Sequence, residues 1–299
     1  MRYLAGAVLA LGLALLATNR PQREEKPALA PLPADPQKVR LTRAGASVTL
    51  EKTGDAWTMT EPVRYPADAA AVARLLGSLG TMTAGDELTD RVESHALYEV
   101  TDASGCLVTV SGSSDTSAAW IFGKTAPDRA HVYVRPADSP RVYLTAGPPR
   151  EEVALPVSRW RDRRVVPSAD DDRPQRITYR RGKDAFELKR GSAAWTAGGR
   201  TLEDAAVDPL LSSLRTLSAE DFIDPPQSEE AGKWILSRST VSLEVSWSSG
   251  RETRLKLGPL DATVGLRTLK RGDDPILLRV PDYSWEDLSE TLKSLSTPH

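Results

Sequence analysis

The stretch ARLLGSL at residues 73–79 returns 135 positions later as DPLLSSL at 208–214, and the same offset carries LVTV (107–110) onto SLEV (242–245), WIFG (120–123) onto LKLG (255–258) and SPRVYL (139–144) onto DPILLR (274–279). Upstream of these helix-like stretches the offset is 138: Trp57 recurs as Trp195, and SVTLEK (47–52) as AFELKR (185–190). A repeat this regular means two copies of one supersecondary unit. The three-residue difference in length falls between the tryptophan and the helix.

Each copy opens on alternating apolar and polar residues, KVRLTR then SVTLEK in the first and RITYR then AFELKR in the second, with Gly45 or Gly182 between them. Period-two alternation around a glycine predicts a β-hairpin. The tryptophan follows in a third short strand. A helix comes next, because Ala71, Val72, Leu75, Leu76 and Leu79 recur at three- and four-residue spacing, as do Val207, Leu210, Leu211 and Leu214. Asp68 is read as the cap of the first helix, and Asp208 followed by Pro209 as the start of the second. The chain is then polar through TAGDELTD (83–90) and SAEDF (218–222). Strands resume at 107–111, 119–123, 131–135 and 141–145, matched by 241–247, 253–257, 265–270 and 276–280. Serine- and glycine-rich turns between them favour an antiparallel meander. In YSWEDLSETLKSL (283–295) a closing helix places Trp285, Leu288, Leu292 and Leu295 on one face. The expected class is therefore α+β: two repeated modules, each a mostly antiparallel sheet with one or two packed helices. Copies 38–150 and 175–285 should superpose.

Before the modules, YLAGAVLALGLALLAT (3–18) is uncharged and mostly apolar. A helix of about 16 residues rises roughly 24 Å, enough to span with snorkelling flanks. Residues 1–18 are read as a membrane anchor or a signal segment, the anchor being preferred because a small-x-small cleavage site is poorly formed after the run, where Leu16 sits between Leu15 and Ala17. Residues 19–37 carry Pro21, Pro27, Pro31, Pro33 and Pro36 and are read as an extended tether. The first module is placed at 38–166, an acidic joint at 167–174 and the second module at 175–299. The expected location is the cell membrane, with a single N-terminal span and a periplasmic or otherwise extracytoplasmic body.

These features resemble the bacterial DUF4340 family. The resemblance is carried by the N-terminal apolar segment, Trp57 with PVRYPADAAAVARLLGSL (62–79), IFGKTAPDRAHVYVR (121–135) and WRDRRVV (160–166). It covers most of residues 38–290 and implies two tandem copies. The second copy departs from the pattern, with LED where the first has YPAD and no VYVR. The resemblance implies a single-span envelope protein associated with ABC-type transport or gliding systems. It supplies no catalytic residues.

Charge is close to balanced, 39 Lys and Arg against 41 Asp and Glu, which argues against nucleic acid as a partner. One cysteine, Cys106, excludes an intramolecular disulfide and any multi-cysteine metal site. It maps onto Val241 and is read as a small strand residue. GKT at 123–125 lacks the first glycine of a phosphate loop, since Ala118 stands there, and Gly258 in the second copy is followed by proline. Of His95, His131 and His299, no two have metal-ligand spacing. His131 is read as a packed strand residue and His95 as part of a polar loop. Asp170, Asp171 and Asp172 lack the spacing of a calcium loop and are expected to stay solvated. Trp57 and Trp195 are expected to pack beneath the helices, with a sugar-stacking platform as the alternative. No catalytic, cofactor or metal residues are assigned.

One group remains as a candidate interaction patch: Arg159, Trp160, Arg161, Arg163 and Arg164. Arginine and tryptophan are enriched at contact surfaces. The competing reading is a clamp in which these arginines pair with acids of the second copy. The expected function is a non-catalytic, membrane-anchored envelope protein that presents its modules to a protein partner. The alternatives are a ligand-binding protein using the cleft between modules and an envelope hydrolase.

Overall fold

The computed structural model describes residue 29 and residues 31–114, 116–167 and 172–296. The anchor segment 1–18 and most of the tether lie outside these residues. Among the described residues no helix is long and apolar enough to cross a membrane.

The first repeat contributes β1 (Pro36–Arg43), β2 (Ala46–Thr53), β3 (Ala56–Glu61), β4 (Tyr65–Pro66), helix α1 (Ala69–Gly80), β5 (Asp86–Thr89), β6 (Cys106–Gly112), β7 (Ser117–Thr125), β8 (Val132–Pro136) and β9 (Val142–Thr145). The second contributes β10 (Pro174–Arg181), β11 (Asp184–Arg190), β12 (Trp195–Ala197), β13 (Arg200–Leu202), α2 (Asp204–Thr216), β14 (Asp221–Ile223), α3 (Gln227–Arg238), β15 (Val241–Trp247), β16 (Glu252–Asp261), β17 (Leu266–Arg271), β18 (Leu277–Pro281) and α4 (Asp282–Ser296). The strands form two nine-stranded antiparallel sheets, ordered β4-β3-β2-β1-β6-β7-β8-β9-β5 and β13-β12-β11-β10-β15-β16-β17-β18-β14. Adding nine to each strand number of the first order gives the second. The α+β class and the meander are as expected, and the repeat read from the sequence is present as one topology built twice.

Compactness divides the chain differently from the repeat. One compact unit takes the described residues of 1–46 and 75–154, the other those of 47–74 and 155–299. In the second unit the core joins Ile177 and Leu188 of the sheet with Val207, Leu210 and Leu214 of α2 and Trp285, Leu288, Leu292 and Leu295 of α4. The face proposed for the closing helix is the buried one. In the first unit a smaller cluster joins Val100, Ile121 and Val142.

Several details differ from the sequence reading. Strand β1 begins at Pro36 and Pro33 is already buried, so the tether ends before residue 33 rather than at 37. Asp68 does cap α1, accepting the Ala71 N–H at 2.9 Å. Helix α2, however, starts at Asp204 with Glu203 at the cap position, and Pro209 lies inside it. The missing amide of Pro209 weakens the helix locally, but Val207 is fully buried and holds the turn before the proline in helical form. The closing helix of the first copy shrinks to single turns at Arg150–Val153 and Val157–Trp160. Two short edge strands, β5 and β14, occupy the stretches read as polar loop.

The glycine of GKT has a packing role that both copies share. A β-carbon on Gly123 would lie 2.7 Å from Val100 Cγ1 and 2.1 Å from the Tyr98 carbonyl oxygen. One on Gly258 would lie 2.8 Å from Ile235 Cγ1. Val100 and Ile235 are themselves 135 positions apart. In each copy an aliphatic side chain fills the space left by a strand glycine.

Candidate functional site

The segment 160–166, which closes the stretch assigned to the first module, is zipped into the second unit on both sides. On one side Asp68 N–H donates to the Trp160 carbonyl at 2.9 Å and Asp162 N–H to that of Pro66 at 2.8 Å. On the other, Val165 N–H donates to the Leu217 carbonyl at 3.1 Å and Ala219 N–H to that of Arg163 at 2.8 Å. An extended backbone alternates its side chains between two faces, and this sends Arg161 inward.

Arg161 is 1% exposed and forks onto Asp224, its Nη1 and Nη2 donating at 2.7 and 2.8 Å to the two carboxylate oxygens. Its guanidinium lies 4.9 Å from the Phe222 ring centroid and 5.7 Å from that of Tyr65. The two rings meet edge to face at 5.3 Å. Arg271 donates to the Tyr65 hydroxyl at 2.8 Å and to Asp274 at 2.9 Å. Burial pushes the Tyr65 phenol up, and the neighbouring Arg271 only partly offsets this, so the ring stays neutral at physiological pH. Burial also works against the charge on Arg271, but Tyr65 and Asp274 outweigh it and raise its pKa. Asp224, Arg161, Tyr65, Arg271 and Asp274 thus form one continuous network of mated charges and aromatic faces. Among its polar atoms, Arg161 Nε is buried without an acceptor.

This geometry corrects the interaction patch. Trp160 and Arg161 are buried and cannot meet a partner at the surface. Arg159 and Arg164 are exposed, the first 3.8 Å from Glu220 and the second bonded to Asp162, while Arg163 is half-buried. Arg161 and Arg159 pair with acids of the second copy, Asp224 and Glu220, as in the clamp reading, whereas Arg164 pairs within its own segment. The partners Tyr65, Phe222, Asp224 and Arg271 are not marked by the sequence pattern: Phe222 ends the polar stretch SAEDF (218–222), and Tyr65 and Arg271 lie far from it in the chain.

The other candidate residues are accounted for one by one. Cys106 is buried in β6, its Sγ 3.4 Å from the Val153 carbonyl, and burial pushes the thiol up to about 11 against the pull of Arg43 and Arg150. At pH 8 a thiol of that pKa is ionised roughly 100-fold less than a free one. Iodoacetamide should therefore label Cys106 at least that much more slowly in the native chain than in denaturant, as followed by intact mass. His131 is not packed in the strand: it precedes β8, half-exposed, with Nδ1 2.6 Å from Asp128 in a surface turn. That hydrogen bond draws the Asp128 carboxyl below its usual range. His95 is buried, not in an open loop, with Nε2 2.8 Å from the Pro140 carbonyl oxygen. Asp172 does not stay solvated either. It accepts hydrogen bonds from the Ser248 and Ser249 hydroxyls, the Ser249 amide and Arg251, while Asp170 and Asp171 lie outside the described residues. Trp195 is fully buried, whereas Trp57 at the equivalent place is half-buried, so the shared position does not mean equal packing. Among the described residues no three His, Cys, Asp or Glu side chains gather as a metal site.

Two of the cavities lined by the described residues lie in the second unit. The larger, about 1040 Å³, lies against β11 and the C-terminal end of α4, with Tyr179, Phe186 and Leu292 on its wall. The smaller, about 400 Å³, lies beneath α2 between Trp195 and Trp247 and is rimmed by Arg173, Arg190 and Arg215.

The family described as "Domain of unknown function (DUF4340)" matches residues 57–233, from the half-buried Trp57 to the middle of α3. The chain belongs to the DUF4340 family. A single match runs from β3 of the first repeat into α3 of the second, so the family correspondence runs across both sheets and does not itself resolve two tandem copies. It includes Tyr65, Arg161, Phe222 and Asp224, which places most of the buried network inside the DUF4340 region. No curated protein and no solved structure matches the chain.

Proposed function

We propose that this DUF4340 protein is a non-catalytic, membrane-tethered envelope protein whose body holds a protein partner outside the cytoplasm, as an accessory of ABC-type transport or gliding systems. The observation that carries this reading is the state of the gathered charges. Arg161, Asp224, Arg271 and Asp274 are mated to one another through directed hydrogen bonds, as in a structural brace. The apolar stretch 3–18 and the proline-rich stretch after it support the tether, and twin sheets of one topology supply broad surfaces for a partner. The transport association comes from the family resemblance alone. A second reading, capture of a small ligand, is favoured by the pocket between Trp195 and Trp247, where Arg173, Arg190 and Arg215 stand beside Asp172, Asp204 and Asp208.

Tethering raises the effective concentration of a partner site, and an untethered body loses that advantage. In a deletion strain, an exported form beginning at residue 31 and matched in abundance should fail to restore function while the full chain restores it. The boundary is set at 31 because Pro33 and β1 belong to the folded body. Full rescue by the untethered form would overturn the reading.

A further inference from the structure

The two repeats differ in what lies at the start of their sheets. Pro36 of β1 pairs with Gly112, and Pro174 of β10 pairs with Trp247, so the residues before these prolines correspond at the offset of 138. In the first repeat the incoming chain covers this corner: Pro33 is buried and Leu32 half-buried. A β-carbon on Gly112 would lie 2.8 Å from Pro33 Cβ, closer than real β-carbons come, so the glycine makes the room that the proline fills. A β-carbon on Gly80, the last residue of α1, would lie 3.6 Å from Leu32 Cδ2, an ordinary contact. A leucine–proline pair is thus seated between the end of the helix and the end of β6.

In the second repeat the same corner is the pocket of about 400 Å³. Its lining residues Leu211 and Leu214 repeat Leu76 and Leu79 at the offset of 135, while Arg215 stands for Gly80 and Trp247 for Gly112. The positions that correspond to Leu32 and Pro33 hold Asp170 and Asp171, so the second repeat does not carry the apolar pair in its own sequence. The wall stays apolar, with Trp195, Leu211, Leu214 and Trp247, and it contains one unmet polar demand. Trp195 is fully buried and its Nε1–H has no acceptor among the described residues, whereas Trp247 Nε1 donates to Thr253 at 3.0 Å. The rim selects neither sign of charge: Arg190 pairs with Asp204 at 3.0 Å and Asp172 with Arg251 at 3.2 Å, and Arg173 and Arg215 share the mouth with Asp208.

We propose that this pocket takes an extended leucine–proline segment of a partner protein, seated as Leu32 and Pro33 are seated in the first repeat. A residue before proline is held extended, and a polyproline-like backbone makes no internal hydrogen bonds, so its carbonyls are free to accept from Trp195 Nε1. Such segments dock in aromatic-lined grooves and lose little conformational freedom in doing so. The chain's own Leu32 and Pro33 are already seated on Gly80 and Gly112, which leaves the second pocket to a segment of another protein. This rests on the partner-holding reading above and names the segment that would be held.

The probe is a fluorescein-labelled peptide with the sequence of residues 29–35, LAPLPAD, titrated by anisotropy against the full chain in detergent micelles. Saturable binding is expected. It should weaken by about tenfold or more when the central leucine and the proline after it are replaced by two aspartates, a change that the burial of one leucine side chain covers. Leu211→Glu should cause a similar loss, and Leu76→Glu, at the equivalent place in the first repeat, should leave binding unchanged. If Leu211→Glu melts early, the pair of peptides decides alone. Absence of saturable binding to the folded wild type, as a pocket closed by the chain itself or suited only to small molecules would give, overturns the site. So does equal binding of the two peptides, or a loss with Leu76→Glu in place of Leu211→Glu. Failure of the peptide together with failure of the untethered form to rescue would remove the segment and leave the tethered reading standing. Peptide binding together with full rescue by the untethered form would do the reverse.

Discussion

Replacing Asp224 with alanine is expected to destabilise the chain by about 3–5 kcal/mol, the range for removing one partner of a buried ion pair. The cost comes from what is left behind. Arg161 is 1% exposed and its Nε already lacks an acceptor, so without Asp224 the guanidinium keeps its charge, loses both charge-assisted bonds and gains no route to water. The Phe222 and Tyr65 faces offset part of this but cannot replace two directed hydrogen bonds.

The converse change is expected to be milder. Arg161→Met keeps an unbranched side chain against Phe222 and Tyr65 and removes the buried cation. The carboxylate left behind is 30% exposed and can be hydrated. A loss below about 2 kcal/mol is expected, because apolar replacement of a buried charge is often close to neutral. Urea unfolding of both variants decides the matter. If Arg161→Met proves the costlier change, the network is held by arginine packing rather than by the satisfaction of its charge.

What the sequence disclosed follows the same physics. The 135-residue offset located the helices, the meander strands and the glycine pair Gly123 and Gly258, because each repeats a requirement of packing that composition records. A local signal that departs from the offset points to the wrong residue. Asp208-Pro209 has the chemistry of a helix start, yet the residue 135 positions after the Asp68 cap is Glu203, and the second helix begins there, with Glu203 at the cap position but no side-chain bond to the helix. Short edge strands were hidden for another reason. β14 owes its existence to the neighbouring β18 and to the ring of Phe222 over Arg161, neither of which gives DFI an alternating pattern. The buried arginine was legible only as an arginine. Nothing in RWRDRR marks Arg161 as the member that turns inward, since that depends on backbone pairing with residues near 67 and 218.

The two helices provide the most direct measure of how far the repeat extends into energetics. Leu75 and Leu210 are fully buried at equivalent positions, as are Leu79 and Leu214, while Leu76 and Leu211 are half-buried in both copies. The sequence reading treated Leu76 as a core residue, and its half-buried state corrects that. Leu75→Ala and Leu210→Ala are each expected to cost about 2–5 kcal/mol, the sum of lost transfer energy and the cavity left behind. Leu76→Ala and Leu211→Ala should cost about 1 kcal/mol, because only part of each side chain leaves water on folding. The ranking within each helix matters more than any single value. Because the chain divides into two compact units, Leu75 in one and Leu210 in the other, a local probe is needed beside a global melt. Hydrogen exchange read peptide by peptide should show Leu75→Ala raising exchange in α1 and Leu210→Ala raising it in α2. A Leu76 variant as costly as its Leu75 neighbour would mean that the face assigned to α1 is rotated, and with it the equivalence of the two copies.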